Sequence, residues 1–588
     1  MRQNCYDVLK AVCIIAVVLY HIGLCKFGYI GVDIFFVLAG YFTTKSLTGQ
    51  SFSGTAYVRF LGNRLFRLLP LLLIACISVL AFGWWFMMPD DYENAAQSAI
   101  ATCFFGNNML QAITVKDYWA VANEFKPLMH TWYAGTLMQF YAVWPLLIWF
   151  IAFLVKKPRR SQSLLLYLLA AVGLCSFALW VATPDEAARF YYLPYRLWEF
   201  CAGAAVFYFF EKNQATPSPA HRYVGGALIL AYAILLALMF CDAEWLGGHL
   251  RQPLAVVLSA SLLFLLPRTP LAQANVLSNE LLARIGAASF SIYVWHQVVF
   301  AVTRYSFTSD LTEPLPFVAI LFATFLLSFL SYRYVERIRA SRRVWAAVAV
   351  TFAAVCAFSL GIYVRAGVVR DVPELEVRCA DAHRGMWSEY CDRGYRYDKD
   401  FTAVGAGKPR WYVIGNSFGR DFLNIIDESP IADSIEVVYS DMETYDLRPQ
   451  RFAKADVVFL SSLLLDEDGV SEVRSLCCPG TKLFIIGEKN FGESNGQVYR
   501  HRFSPSYHSL AVPLAAGYAE RNARLKSLYP DIFIDLIAMV TLPDGRVRVF
   551  TDEGLLISHD CRHLTRAGAR FYAERIDWTR FFNNDCDR

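Results

Sequence analysis

The chain has 588 residues, room for two or three domains. With 56% apolar residues and a mean hydropathy of +0.35, it is too oily to be a water-soluble enzyme throughout. A net charge of +4 spread over this length leaves no basic stripe to grip a phosphate backbone, so nucleic acid is not an expected partner.

Long apolar stretches run to about residue 366, beyond which charges, Gly and Pro return at globular density. A bilayer core takes about 20 apolar residues per helix. Eleven candidate spans read as 8–26, 27–47, 66–88, 131–155, 163–182, 189–210, 224–242, 253–267, 284–303, 315–335 and 344–364, the eighth being short. The first reads as a span rather than a cleaved signal peptide, because a second follows at once and polar residues sit inside it. Lys45, Arg59, Arg64 and Arg67 follow span two. Lys156, Lys157, Arg159 and Arg160 follow span four, and Arg333, Arg337, Arg339, Arg342 and Arg343 follow span ten. Intervening loops such as 89–93 and 184–186 are acidic. Basic residues mark the cytoplasmic side, so the N-terminus is expected inside and the tail outside, with membrane lipids as partners. Six tail cysteines (Cys379, Cys391, Cys477, Cys478, Cys561, Cys586) then allow up to three disulfides, which are favoured over a metal for want of zinc-knuckle spacing.

Charges inside a span are costly and mark function. Lys10 and His21 lie eleven residues apart, almost three helical turns, and so share one face about 16 Å apart. Span two adds Asp33, placed to orient or charge-balance His21. A cation at the cytoplasmic mouth and a histidine deep in the bundle suit a phosphorylated donor whose reactive end reaches inward; a hydrogen-bonded interhelical histidine is the plainer alternative. Arg64 and Arg67 are helical neighbours whose guanidinium groups suit phosphate, or anchor the helix at the cytoplasmic side.

In the tail, strands at 411–414, 435–438, 456–460 and 483–486 alternate with helices, one of them over 512–529, which predicts a parallel α/β sheet. Ser417 follows the first strand in Gly415-Asn416-Ser417 and opens a helix, where a tight turn and helix N-terminus suit a nucleophile with an anionic transition state. Far downstream, Asp560 and His563 are three apart, so the carboxylate can orient the imidazole as general base. His559 reads as a loop neighbour, and Thr565 as the cap of the last helix. Tyr499, Phe503 and Tyr507 either stack on sugar rings or pack the core.

The segment Asp7 to Gly40, containing Leu19-Tyr20-His21 and Gly31-Val32-Asp33-Ile34-Phe35-Phe36-Val37-Leu38-Ala39-Gly40, resembles the opening of the acyltransferase-3 family. His130-Thr131-Trp132, Gln139-Phe140-Tyr141, Tyr195-Arg196-Leu197-Trp198-Glu199, Ser291-Ile292-Tyr293-Val294-Trp295-His296 and Ser331-Tyr332-Arg333-Tyr334-Val335-Glu336 continue the likeness in order. That family moves acyl groups, commonly acetyl from cytoplasmic acetyl-CoA, onto cell-envelope glycans. The resemblance implies that His21 is essential to acyl handling and that Arg64 and Arg67 help hold the donor. Where the family usually has Arg, this chain has Lys10, which keeps the charge and loses bidentate geometry. Leu137 and Met138 stand where the family often carries acids, with Glu199 and Glu124 as substitutes.

The order of Ser417 and Asp560-x-x-His563 resembles the SGNH hydrolase family, with Asn416 where that family more often has Asp. Its oxyanion hole combines backbone N–H groups with an Asn side chain, for which Asn490 is the candidate and Asn495 the alternative. Together these imply a polytopic α-helical acyltransferase-3-like domain over 1–340, an extra span and linker over 341–374, and an SGNH-like, flavodoxin-like periplasmic domain over 375–588. The expected activity is O-acyl transfer, chiefly acetyl, from acyl-CoA across a bacterial inner membrane to a cell-envelope glycan such as lipopolysaccharide O-antigen. No permanently bound cofactor or metal is expected. A glycan O-acetyl esterase and a non-enzymatic acyl-donor transporter are the alternatives.

Overall fold

The computed structural model describes the chain apart from residues 1–3, 49–52, 115–120, 155–157, 212–220, 242–245, 267–278, 308–309, 403–406 and 583–588. Lys156, Lys157 and Cys586 lie outside the described residues. The chain divides into two compact units, Met1–Trp85 with Ala95–Leu360, and Phe86–Asn94 with Gly361–Arg588.

Among its described residues the first unit contains helices and connecting turns and no strand. The helices of this part of the chain begin with α1 (Asn4–Ile22), α2 (Gly31–Leu47), α3 (Gly54–Phe86), α4 (Pro89–Cys103, whose first residues belong to the second unit) and α5 (Asn107–Thr114). They continue with α6 (Trp132–Leu154), α7 (Pro158–Ala182), α8 (Glu186–Tyr191), α9 (Leu193–Val206), α10 (His221–Phe240) and α11 (Gly247–Leu265). The last are α12 (Glu280–Ala287), α13 (Ser289–Ser306), α14 (Pro314–Tyr334) and α15 (Arg342–Val364). Among the described residues six helices are long and apolar enough to cross a membrane, or seven if α12 and α13, bent by 68° at their junction, form one span. Each of the eleven expected stretches falls on a helix, and the described parts of α7 and α10, Leu166–Ala182 and Val224–Phe240, are apolar. Expected span six is split, because Pro194 sits in the first turn of α9 and starts a new helix after α8. The acidic run 89–93, read from sequence as a loop, is the start of α4. Pro89 at its first position and Asp90 and Asp91 in its first turn are helix-opening chemistry.

The main bundle contact is between α2 and α9, and it depends on two glycines. A Cβ on Gly40 would stand 2.1 Å from the Phe200 carbonyl oxygen, and one on Gly203 would stand 1.9 Å from that of Val37. The backbones therefore touch where any side chain would hold them apart.

The second unit holds a five-stranded parallel sheet in the order β2-β1-β3-β4-β6, from β1 (Arg410–Gly415), β2 (Glu436–Ser440), β3 (Val457–Ser461), β4 (Lys482–Ile486) and β6 (Phe533–Ile534). The four expected strands are all present. Their near-continuous burial fits a sheet covered on both faces. β5 (Ala511–Val512) instead pairs antiparallel with β7 (Val547–Arg548). The helix expected from 512 begins only at Tyr518, because Pro513 holds the preceding residue extended. Asn416 caps α16 (Ser417–Asp427), its Oδ1 accepting the Phe418 N–H at 3.0 Å. Thr565 caps α17 (Arg566–Ala573) through the Gly568 N–H. The disulfide expectation is corrected: Cys379, Cys391, Cys477, Cys478 and Cys561 are all free thiols. Buried Cys391 and Cys561 donate weakly to the Ser417 carbonyl and to Asn495 Oδ1 instead.

Candidate functional site

In the second unit the chemistry gathers at the carboxyl end of β1. Ser417 is the first residue of α16, so its N–H and those just after it need partners from outside the helix. His563 Nε2 lies 2.9 Å from Ser417 Oγ, and His563 Nδ1 lies 2.6 Å from Asp560 Oδ2. Asp560 Oδ1 accepts the backbone N–H groups of Arg562 and His563 at 2.9 and 2.7 Å. The carboxylate is thus pinned on one oxygen and presents the other to the imidazole. Burial alone would raise the Asp560 pKa, but His559, His563 and these hydrogen bonds outweigh it and hold the group well below the carboxylate range. For His563 burial acts downward, the Asp560 carboxylate outweighs it, and the pKa is raised above 6.5.

The three sequence-separated residues therefore form one hydrogen-bonded chain able to deprotonate a serine hydroxyl. His559 stacks on His563 with ring centroids 6.1 Å apart and on Trp387 at 5.4 Å, and burial lowers its pKa. Ligand atoms of His559, Asp560 and His563 all lie within 4.8 Å of one another. A cation there would have to displace one of the bonds that link His563 to Asp560 and Ser417.

Asn490 stands in the loop after β4, but its amide serves that loop. Oδ1 accepts the N–H groups of Gly492 and Ala515, and Nδ2 donates to the Gly492 carbonyl. Asn495 donates to the His559 carbonyl and so braces the catalytic turn. Sequence reasoning gave no role to Asp421 and Lys489. Their side chains, 0% and 2% exposed, form an ion pair at 2.9 Å, and Asp421 Oδ2 also accepts the Leu564 N–H. Lys489 Nζ stands 3.6 Å from the Phe418 ring centroid. This pair ties the nucleophile helix, the β4 loop and the Asp-x-x-His turn together. Only its adjacency to Ser417, one helical turn before Asp421, hinted at it.

In the first unit Lys10, Arg64 and Arg67 come together around a cavity of about 310 Å³, with Leu137 in its wall where the family's acid is missing. Lys10 is also paired with Asp7 at 3.1 Å, and the Arg64 guanidinium lies 5.0 Å from the rings of Phe60 and Tyr141. Val32 and Tyr293 line both this cavity and a chamber of about 20 Å³ that holds His21 and Asp33. A third cavity, about 320 Å³ with Glu186, Arg189 and His249, shares Tyr29, Phe190, Arg196 and Gln252 with the chamber. His21 thus stands in the narrow middle of three adjoining spaces.

Asp33, expected to orient or charge-balance His21, lines the same chamber, but its ion pair is with Arg196. Asp33 Oδ1 accepts from Arg196 at 2.7 Å, and the same guanidinium nitrogen lies 2.9 Å from Glu199. All three groups are buried, so each charge is held by its partner. Glu124 pairs with Arg304 at 3.0 Å, and Arg304 also donates to the His21 carbonyl at 2.6 Å.

A family model described as an acyltransferase domain matches residues 3–333, more than half of the chain. BcsY of Komagataeibacter xylinus, named as a membrane-bound transacylase, is 29% identical over 340 residues, 57% of this chain and 82% of that protein. The peptidoglycan O-acetyltransferase OatA of Listeria monocytogenes is 28% identical over 348 residues, 56% of this chain and 54% of OatA. The O-acetyltransferase OatA of Staphylococcus aureus is 26% identical over 347 residues, 56% of each chain. The match thus spans about half the length of the two OatA proteins, and no solved structure matches the chain. The helical first unit, its basic cavity leading to His21 and this match agree: the chain belongs to the acyltransferase-3 family and is an acyltransferase.

Proposed function

We propose that the protein is an O-acetyltransferase of a cell-envelope glycan, taking acetyl-CoA at its membrane domain and completing transfer at Ser417. The donor's phosphates sit against Lys10, Arg64 and Arg67, and its thioester reaches past Val32 and Tyr293 to His21. The chamber there has room for about one water, which suits a two-carbon acyl group. The acetyl group then passes to Ser417: Oγ attacks the acyl carbon, the bond to the group that carried the acetyl breaks, and His563 takes the serine proton and hands it to that departing group. A glycan hydroxyl then attacks the ester, the bond to Oγ breaks, and the hydroxyl proton passes through His563 to Oγ, so that the glycan leaves acetylated and Ser417 is restored.

The observation that carries this reading is the Ser417–His563–Asp560 chain on a polypeptide that is an acyltransferase. The tail is read as an SGNH-like domain on the periplasmic side of a bacterial inner membrane. The OatA names support a glycan as acceptor. Peptidoglycan and lipopolysaccharide O-antigen both offer the required hydroxyls.

The test is mass spectrometry of envelope glycans from cells expressing the full chain or S417A, with trapping of acetyl on Ser417 in membranes supplied with labelled acetyl-CoA. Glycan acetylation that needs Ser417 and a labelled Ser417 peptide are expected. Acetylation undiminished in S417A would overturn the serine route, and loss of acetyl from glycans on expression would identify an esterase.

A further inference from the structure

Three histidines converge inside the first unit from different parts of the chain. His21 ends α1, His130 sits in the short turn Met129–Thr131 before α6, and His296 lies on α13. Ring centroids are 5.1 Å apart for His21 and His296, and 5.6 Å for His130 and His296. The group is braced from outside: the Tyr293 hydroxyl donates to the His130 carbonyl, and Arg304 donates to that of His21.

The hydrogen bonding of His296 fixes its tautomer. Nδ1 lies 3.2 Å from the Ile292 carbonyl oxygen, which can only accept, so Nδ1 carries the hydrogen and Nε2 the lone pair. His296 is 0% exposed, and Nε2 has no hydrogen-bond partner among the described residues. Neither ring nitrogen of His130 has one either. A buried acceptor without a donor is destabilising and rare in folded proteins. Here it stands beside the histidine that the acyl chemistry requires. Of the nearby carboxylates, Asp33 and Glu199 pair with Arg196 and Glu124 pairs with Arg304, and among the described residues none of them is hydrogen-bonded to His21.

We propose that His296 is the proton-accepting partner of His21; the inference rests on His21 being the group that handles the acyl chain. A His21 ring nitrogen attacks the thioester carbonyl carbon, the C–S bond breaks, and CoA leaves as thiolate. The acylated imidazolium gives its remaining N–H proton to His296 Nε2, which leaves a neutral N-acyl imidazole. His296 releases that proton to the thiolate, so CoA departs as the thiol. The hydroxyl that next takes the acyl group returns its own proton to His21. The net change is thioester plus alcohol to ester plus thiol.

The experiment uses the purified full chain in lipid vesicles and measures both acetyl-CoA binding and single-turnover CoA release for wild type, H296N and H296A. Both variants are expected to bind acetyl-CoA within about threefold of wild type and to release CoA at least ~100-fold more slowly, the usual scale for a lost general base. Added imidazole, which fits the space left in H296A, is expected to restore its rate at least tenfold, while H21A stays inactive with or without it. CoA release by H296N within threefold of wild type overturns the proposal. So does an H296A that binds donor normally yet gains nothing from imidazole, because a merely structural histidine would behave that way. Failure of wild type to release CoA at all would instead overturn the assignment of the donor site.

Discussion

Asp560→Asn isolates what the Asp560 carboxylate contributes. In the structure Asp560 Oδ1 accepts two backbone N–H groups, from Arg562 and His563, and Oδ2 faces His563 Nδ1 at 2.6 Å. An asparagine has one acceptor oxygen, and the two backbone donors will hold it in the Oδ1 position. The amide NH₂ must then face Nδ1, which is forced to accept, so the imidazole hydrogen moves to Nε2. There it points at Ser417 Oγ, and His563 becomes a donor where a base is needed. A triad in the wrong tautomer loses about 10⁴ in kcat, or about 5.4 kcal/mol of barrier at about 1.36 kcal/mol per tenfold. The turn keeps its backbone hydrogen bonds, so thermal stability is expected to change little. The assay is acetyl release from p-nitrophenyl acetate by the full-length protein, with a melting curve beside it. A D560N protein that melts like wild type and keeps more than a tenth of the rate would refute the tautomer argument.

The raised pKa of His563 places the acid limb of the same activity above pH 6.5, because only the neutral imidazole accepts the serine proton; a wild-type midpoint below 6.5 would count against the ion pair. The stability that this raised histidine contributes is present below its unfolded value and fades as pH rises through its folded one. Lys489→Met leaves Asp421 charged and unpaired in the interior, at an expected cost of about 3–5 kcal/mol, and the double variant Lys489→Met with Asp421→Asn is expected to recover much of it in a melting experiment. Val32→Ala widens the passage to the His21 chamber, and the preference for acetyl-CoA over propionyl-CoA is expected to fall about tenfold, the lower end of discrimination by one methylene; an unchanged ratio would show that Val32 does not set acyl size.

The serine site was the most legible part because its signals are local. Ser417 sits at a strand–helix junction, and Asp560 and His563 share one turn, so spacing alone suggested their roles. The Asp421–Lys489 pair joins residues 68 positions apart, and nothing in either segment marks the other. Asp33 was assigned to the nearest interesting partner along the chain, whereas its actual partner, Arg196, lies 163 positions away. Interior charges choose partners by tertiary proximity and desolvation rather than by sequence distance. The same limit applies to the crossing helices: hydropathy locates apolar runs, but a proline such as Pro194 decides whether a run is one helix or two. The even cysteine count suggested bridges, yet Cys391 and Cys561 are each placed to support a neighbouring backbone or amide group instead.

The contact between α2 and α9 bears on how the His21 chamber can move. Two fastenings join these helices, the Asp33–Arg196 ion pair and the backbone approach at Gly40 and Gly203. Asp33 and Gly40 are seven residues apart, about 10 Å along the axis. Two fixed points at that separation remove both sliding and pivoting, so α2 and α9 can only travel as one rigid plate. Any breathing that admits a thioester must then come from the rest of the chamber wall, to which α1 gives His21, α6 Trp132, α11 Gln252 and α13 Tyr293.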